Sequence, residues 1–379
     1  MTLNELSLTN YKNISEATLR FSDKLNCIIG ANGMGKTNLL DSIYFLSFTR
    51  THEFLPESLI IKHNEDMAIV SGSYSLLGKH EQVFIGLQKG RGKVLKRNKK
   101  EYPKISDHIG LIPLVMIAPS DIELIKGGST ERRNFIDQSI CQESREFMTV
   151  AKSYRSLLEQ RNKLLKQEMG LDLSLVEVLN MQMAPLAEKI TQERCNWLNR
   201  LAPIFLHYYN TITSEKEEVA LSYITSIGHL DPKAEDFIKA WNEGLAGDIA
   251  CRFTRIGPHR DDLEMLLNGF LVRKLGSQGQ NKSYMIALKL AQYSMLCQIN
   301  SSNLPILLLD DVFDKLDESR VEMIVDLVGG DQFGQIFMSD TNRKYLDKIL
   351  QRQPQGLYSI FRAVDGTFSD ITNNEEVFN

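Results

Sequence analysis

Residues 25–37 read Leu25-Asn26-Cys27-Ile28-Ile29-Gly30-Ala31-Asn32-Gly33-Met34-Gly35-Lys36-Thr37. An apolar strand runs into a glycine-rich loop. The loop opens into residues 36–48, where Leu39, Leu40, Ile43, Tyr44 and Leu46 recur at helical spacing. Residues 30–37 match G-x-x-x-x-G-K-[ST] in the strand-loop-helix setting that this pattern requires. The glycines let the backbone wrap a phosphate with its N–H groups turned inward, at a helix N-terminus whose dipole favours anions. Lys36 is placed to reach the β and γ phosphates, and the Thr37 hydroxyl to bind Mg²⁺. Gly30, Ala31, Asn32, Gly33, Met34, Gly35, Lys36 and Thr37 are therefore the candidate nucleotide contacts, with Lys36 also a catalytic candidate.

The far end of the chain carries the complementary half. Ile306-Leu307-Leu308-Leu309-Asp310-Asp311 is a continuously apolar run ending in two carboxylates. That texture predicts a buried parallel strand, with its ligand at the carboxyl end. Asp310 is the candidate Mg²⁺ ligand with Thr37, and Asp311 the residue that orients or deprotonates an attacking water. Ser277-Gln278-Gly279-Gln280 lies upstream and starts a predicted helix over 277–299; it resembles the ABC signature Ser-Gly-Gly-Gln with one substitution. A serine and a glycine there can donate to a γ-phosphate, which in ABC ATPases belongs to the partner subunit. Asp314-Lys315-Leu316-Asp317 stands where those proteins carry the D-loop.

The 379 residues carry 44 Lys plus Arg against 48 Asp plus Glu, and 42% are apolar. These are ordinary globular values, and they exclude disorder or collagen for the chain as a whole. The five cysteines are odd in number and unpaired in spacing, which fits a reducing cytoplasm and neither a disulfide framework nor a zinc site. The longest apolar run, 304–309, is too short to span a bilayer, and no export signal is read at the N-terminus.

Short strands are expected over 3–29 and a β meander over 67–118. Residues 130–213 hold one glycine, Gly170, and few prolines, Pro185 among them, and are rich in helix formers. They predict two helices split near 168–172, forming either an antiparallel arm or a compact lobe. Strands return near Val219, and Asn268-Gly269 predicts a hairpin. The end alternates strand 305–309, helix 319–327, strand 335–338 and helix 343–350. The expected class is α/β, an ABC-type P-loop ATPase head of mixed sheets and helices with an inserted α-helical lobe. Residues 1–129 and 248–379 form the split ATPase domain, and 130–247 the lobe or arm.

The chain resembles the RecF family of SMC-like ABC ATPases over essentially its whole length. Four stretches carry the likeness: 30–37, 119–137, Gly257-Pro258-His259-Arg260-Asp261-Asp262, and 308–317. Ser129 stands where the family usually has proline. No Q-loop glutamine is found near 116–119, Asp340-Thr341 occupies the switch-histidine position of many ABC proteins, and Asp311 replaces a glutamate. The resemblance implies an ATP-switched homodimer, in which residues 30–37 of one subunit and 277–280 of the other enclose ATP and Mg²⁺. It implies a weak DNA-stimulated ATPase that acts on gapped or single-strand/duplex junction DNA. It also implies RecO- and RecR-type mediators as partners, recombinase loading, support of the SOS response and a cytoplasmic location. Alternatives are the ATPase subunit of an ABC transporter and an SMC-type DNA scaffold. The 240 residues between Thr37 and Ser277 are too many for the first, and an insert under a hundred residues too short for the second.

For DNA contacts, residues 89–104 hold eight basic side chains, among them Lys93, Lys96, Arg97, Lys99 and Lys100, against one acid, Glu101. Such a cluster predicts sequence-independent, salt-dependent phosphate binding. Arg155 and Arg161 mark a second candidate face. Arg132 and Arg133 are expected either to sense phosphate or DNA or to pair with acids such as Asp137, with the structural role favoured for Arg133, and His259 is expected to be satisfied locally.

Overall fold

The computed structural model describes residues 1–167, 170–214, 217–299, 303–314, 316–330, 332–341, 349–350 and 357–372. The chain folds into two compact units. One comprises 1–121, 211–214 and 278–379; the other comprises 122–210 and 215–277. Residues 122–129 and 248–277, which the sequence reading grouped with the ATPase half, thus belong with the helical lobe. Most of the predicted helix 343–350 lies outside the described residues.

The first unit holds two six-stranded sheets. In one, strands Leu114–Ile117, Ile306–Asp310, Ile336–Asp340, Leu25–Ile29 and Tyr358–Val364 run parallel in that order, and Thr367–Asp370 closes the edge antiparallel. Strands Ile306–Asp310 and Ile336–Asp340 are buried at every residue, which is why they read as unbroken apolar runs. The second sheet is antiparallel, in the order Ile14–Arg20, Thr2–Tyr11, Met67–Leu76, Lys79–Gln88, Gly92–Arg97 and Lys100–Glu101. The expected meander therefore ends at Glu101. Its last apolar segment, Leu114–Ile117, leaves for the parallel sheet, where it can be covered on both faces.

Helix Lys36–Phe48 packs against strands of both sheets. Leu39, Leu40, Ile43, Phe45 and Leu46 are each 0% exposed and join one core with Leu3, Leu6 and Ile85 on one side and Leu114, Ile306 and Leu308 on the other. Each buried side chain of this size contributes roughly 1.5–3 kcal/mol. The helix that begins at the phosphate loop is thus clamped on two sides, and its N-terminus cannot drift.

The second unit contains helices Ser129–Glu143, Arg145–Leu165, Leu173–Thr213 as far as Asn210, Ala234–Glu243 and Leu245–Cys251, with a three-stranded sheet ordered Phe270–Leu271, Asp262–Leu267, Val219–Ile224. It is the compact lobe, with Trp197 and Trp241 buried in it. The expected first long helix is broken at Ser144, whose extended backbone ends one helix and whose hydroxyl accepts from Phe147 N to cap the next. The second long helix runs through both Pro185 and Pro203. At the predicted hairpin, Asn268 and Gly269 both take positive φ, 50° and 79°, as a two-residue type I′ turn requires.

Candidate functional site

The loop 30–37 follows strand Leu25–Ile29 without interruption. Gly33 and Gly35 take φ of 81° and 101°, a region that costs other residues about 1–2 kcal/mol. The loop is tightly seated. A Cβ at Gly30 would lie 2.6 Å from the Ala363 carbonyl oxygen on the neighbouring strand, and one at Gly35 would lie 3.2 Å from the Asn13 side chain. Gly366 N donates to Met34 O at 3.0 Å, and Asn38 donates to Asn13 at 2.8 Å. The hairpin 358–370 and the turn at Asn13 therefore brace the cradle from two directions. Sequence reading marks neither for this role, because the partners are 25 to more than 330 residues apart.

Lys36 is buried, and its Nζ donates to the carbonyls of Gly30 at 2.8 Å and Ala31 at 3.0 Å. The ammonium is thereby held across the loop it serves. The Thr37 hydroxyl donates to Asp310 Oδ2 at 2.8 Å, joining two residues 273 positions apart. Ser339 sits on the strand between that of Asp310 and the one leading into the loop, and it donates to the other oxygen of Asp310. Burial raises the Asp310 carboxyl above its usual range, partly offset by the Ser339 and Thr37 hydrogen bonds. Ser339 is a site residue that the sequence reading misses, although it precedes the flagged Asp340.

Asp311 directly follows the strand with φ 43°, a conformation that aspartate tolerates better than most residues. Its N–H faces the Ser339 carbonyl and hydroxyl, both at 3.3 Å. Its buried Oδ1 has no hydrogen-bond partner among the described residues. A buried carboxylate oxygen left unpaired beside a phosphate cradle is a group kept for a ligand or water. Lys282 donates to the Asp311 and Asp314 carbonyls, fixing this turn to the signature helix.

That helix is Gln278–Ile299, starting directly after Ser277 and buried along most of its length. Gly279 leaves room for Arg320, whose Nη1 would lie 3.2 Å from a Cβ there. Asp317, in the expected D-loop, accepts from Arg320 N and caps helix Glu318–Gly329; Lys315 lies outside the described residues. Just beyond 116–119, where a Q-loop glutamine was sought, the Asp121 side chain is largely enclosed. Burial opposes its ionisation, yet Lys289 at 2.6 Å and His52 at 3.3 Å hold it well below the usual carboxylate range.

The basic candidates divide sharply. Arg161 is fully buried and donates to Asn180, Asp248 and Thr254 at 2.7–2.9 Å, so its place on a DNA-facing surface is corrected. At about 100° per residue, Arg161 points about 120° away from Arg155 around helix Arg145–Leu165, so it turns inward where Arg155 faces out. Lys93 donates to the Thr49 carbonyl at 2.6 Å and pairs with Glu57, and Arg97 is bidentate to Glu81. Lys99, Lys100 and Arg155 are exposed, and Lys96 lies over the Phe84 ring.

The segment 257–262 is a structural knot of the lobe. A Cβ at Gly257 (φ 135°) would meet the Tyr154 hydroxyl at 2.5 Å. Pro258 O accepts from Arg194, Asp261 from Tyr223 and Ser226 N, and Asp262 from both forks of Arg132. His259 accepts from Tyr154 OH at 2.8 Å through Nδ1, which leaves Nε2–H to donate to Thr254 O at 2.9 Å. Burial, with Arg260, Arg133 and Arg194 nearby, pushes its imidazole down to about 4, so it is neutral.

Comparisons with known proteins give the family and the fold. The family model described as the RecF/RecN/SMC N terminal domain matches residues 2–365. The DNA replication and repair protein RecF of Parabacteroides distasonis is 46% identical over 366 residues, covering 97% of this chain and 98% of that one. This chain belongs to the RecF family. The RecF of Porphyromonas gingivalis strain W83 is 44% identical, covering 97% of this chain and 99% of its own. A solved RecF, described as a recombination mediator protein with ATP in the RecFOR pathway, superposes with a TM-score of 0.87 at 27% identity, covering 97% of both chains. An Smc head domain from Pyrococcus furiosus, at 15% identity and a TM-score of 0.58 over 97% of this chain and 95% of its own, shares the fold. The α/β ABC-type ATPase architecture is thus that of RecF and SMC heads. Among the described residues no helix is long and apolar enough to cross a membrane.

Proposed function

We propose that this RecF-family chain is an ATP-switched DNA clamp. The observation that carries the reading is the Thr37–Asp310 hydrogen bond at 2.8 Å, which brings the phosphate loop and the carboxylate strand into one site beside the unpaired Asp311 Oδ1. The residues fit Mg-ATP. The turned N–H groups of 30–37 and Lys36 would receive the phosphates, and Thr37 and Asp310 would hold the ion. When bound, Mg²⁺ draws charge from the β and γ phosphates. Ser339 keeps Asp310 oriented, and Asp311 Oδ1 positions a water and accepts its proton. Asp311 is one methylene shorter than a glutamate at that position, which suits slow turnover and a switch or timer.

In the dimer, Ser277, Gln278, Gly279 and Gln280 of one subunit would cover the phosphate held by 30–37 of the other. ATP then becomes part of the interface, and hydrolysis loosens it by a population shift. The DNA ligand is gapped or single-strand/duplex junction DNA, bound without base readout. RecO- and RecR-type mediators would receive the loaded site for recombinase assembly, in support of the SOS response and in the cytoplasm. The relatives' names, with their replication, repair and mediator roles, support this assignment.

The test is mass by light scattering of the Asp311→Asn protein without nucleotide, with Mg-ADP and with Mg-ATP. Doubling only in Mg-ATP, and its loss in Ser277→Arg, is expected. A monomer in every state, with DNA present, would overturn the clamp.

A further inference from the structure

The lobe contains a cavity of about 180 Å³ that the nucleotide chemistry does not use, walled by Arg133, Asp137, Tyr154, Arg155, Arg194 and His259. At ~30 Å³ per water it has room for a phosphate group and a few waters. Its charges do not cancel. Arg194 is bidentate to Asp137 at 2.7 and 2.8 Å, which neutralises that pair. Arg133 gives its donors to the Asp261 carbonyl at 2.7 Å and the Thr130 hydroxyl at 3.1 Å, neither of them charged. Arg155 is exposed, while Arg133 lies in the field of Asp262, Asp137 and Asp261, of which Asp262 is bidentate to Arg132 and Asp137 to Arg194. His259 is neutral, with its protons fixed by Tyr154 and Thr254, so it adds no negative charge.

Burial, and after it the neighbouring Arg194, lowers the Arg133 guanidinium, against the opposing pull of Asp262, Asp137 and Asp261. The cavity also borders the N-terminal part of helix Ser129–Glu143, whose first turn carries Thr130 and the acidic Glu131 and whose dipole adds positive potential. The wall holds three guanidinium groups, Arg133, Arg155 and Arg194, against one carboxylate, Asp137, and such a wall matches a phosphate better than any neutral ligand, because the planar fork donates to two oxygens at once.

We propose that this cavity is a phosphate-binding site for DNA, gripped by Arg133 and Arg155. The inference rests on the DNA-binding reading above and gives it a location in the lobe. The phosphate comes from an internal diester or from a 5′-phosphate at a recessed end, and one experiment separates these.

The full-length protein in Mg-ATP is titrated by fluorescence anisotropy against a recessed-end duplex carrying either a 5′-phosphate or a 5′-hydroxyl, between about 50 and 200 mM KCl. Wild type is compared with Arg155→Glu, Arg155→Lys and Arg133→Gln. The emission of Trp197 and Trp241 confirms that each variant's lobe is folded. Should Arg133→Gln fail to fold, Arg155→Glu decides alone, because its side chain is exposed. Arg155→Glu is expected to weaken binding about tenfold and to reduce the log–log salt slope by about one, the contribution of one phosphate; Arg155→Lys restores most of the slope. Equal losses on both duplexes identify an internal diester, and loss only of a preference for the 5′-phosphate identifies the terminal group. Wild-type binding that Arg155→Glu and Arg133→Gln leave unchanged overturns the cavity site while the DNA reading stands. A wild type that binds neither duplex in Mg-ATP overturns both.

Discussion

Replacing Arg161 with alanine is expected to unfold the lobe more easily, with no specific effect on DNA contacts. The side chain is 0% exposed and its Nη1 lies 2.9 Å from Asp248 Oδ2 and 2.7 Å from the Thr254 hydroxyl, while Nε lies 2.8 Å from Asn180 Oδ1. Breaking a buried pair costs about 3–5 kcal/mol, mostly through the carboxylate left behind. Here Asp248 keeps Arg255 Nε at 3.0 Å on its other oxygen, so the loss falls at the lower end, about 3 kcal/mol. For a unit of this length that is a shift of about 6–12 °C in Tm. The assay is built into the chain, because its two tryptophans, Trp197 and Trp241, are both buried in this unit. Tryptophan emission through a urea titration therefore reports the lobe. Pairing Arg161→Met with Asp248→Asn removes both charges and should recover part of the loss. An unchanged tryptophan transition, together with a reduced salt slope for DNA, would refute the argument and return Arg161 to the surface.

Four further variants test the nucleotide site and the lobe. Gly30→Ala drives a Cβ to 2.6 Å from a backbone oxygen that cannot retreat from its own sheet, and should cost about 1–3 kcal/mol and weaken ATP binding. Gly33→Ala meets no atom and should cost about 1–2 kcal/mol through its positive φ alone; equal ATP losses in calorimetry would show that space at Gly30 is not what matters. Because burial raises Asp310, the nucleotide-free fold loses stability as pH rises from the free carboxyl's range through the folded value. Asp310→Asn should therefore melt higher than wild type at pH 7 while losing stabilisation by Mg-ATP, and a lower melt would contradict the assignment. His259 behaves in the opposite way. Its folded value of about 4 lies below that of the unfolded chain, so the lobe should lose stability as pH falls from about 6.5 to about 4. His259→Gln should flatten that fall in urea midpoints read by tryptophan emission, and an unchanged profile would place the acid sensitivity elsewhere.

Much of the nucleotide site was legible as local sequence. The phosphate loop needs its residue types within eight consecutive positions, because one backbone segment wraps one phosphate. The strand 306–310 was legible because burial on both faces leaves no alternation. The Asn268-Gly269 turn was legible because few other pairs adopt two positive φ values in succession. Long-range pairing was not. No local pattern says that Leu114–Ile117 leaves the meander for the parallel sheet, or that Ile336–Asp340 separates the two nucleotide strands and so gives Ser339 its place on Asp310.

The sequence by itself determined that this chain holds an ATPase head in two distant halves, because loop, carboxylates and signature each act through a few contiguous backbone and side-chain groups. Only the tertiary structure decided which charges remain available. Arg161 and Arg155 are six residues apart and alike in composition, yet one is locked to Asp248 inside the lobe and the other stands exposed at a cavity wall. Periodicity sets the direction in which a helical side chain leaves its axis. Whether water or a carboxylate waits there depends on what the rest of the chain packs against that face.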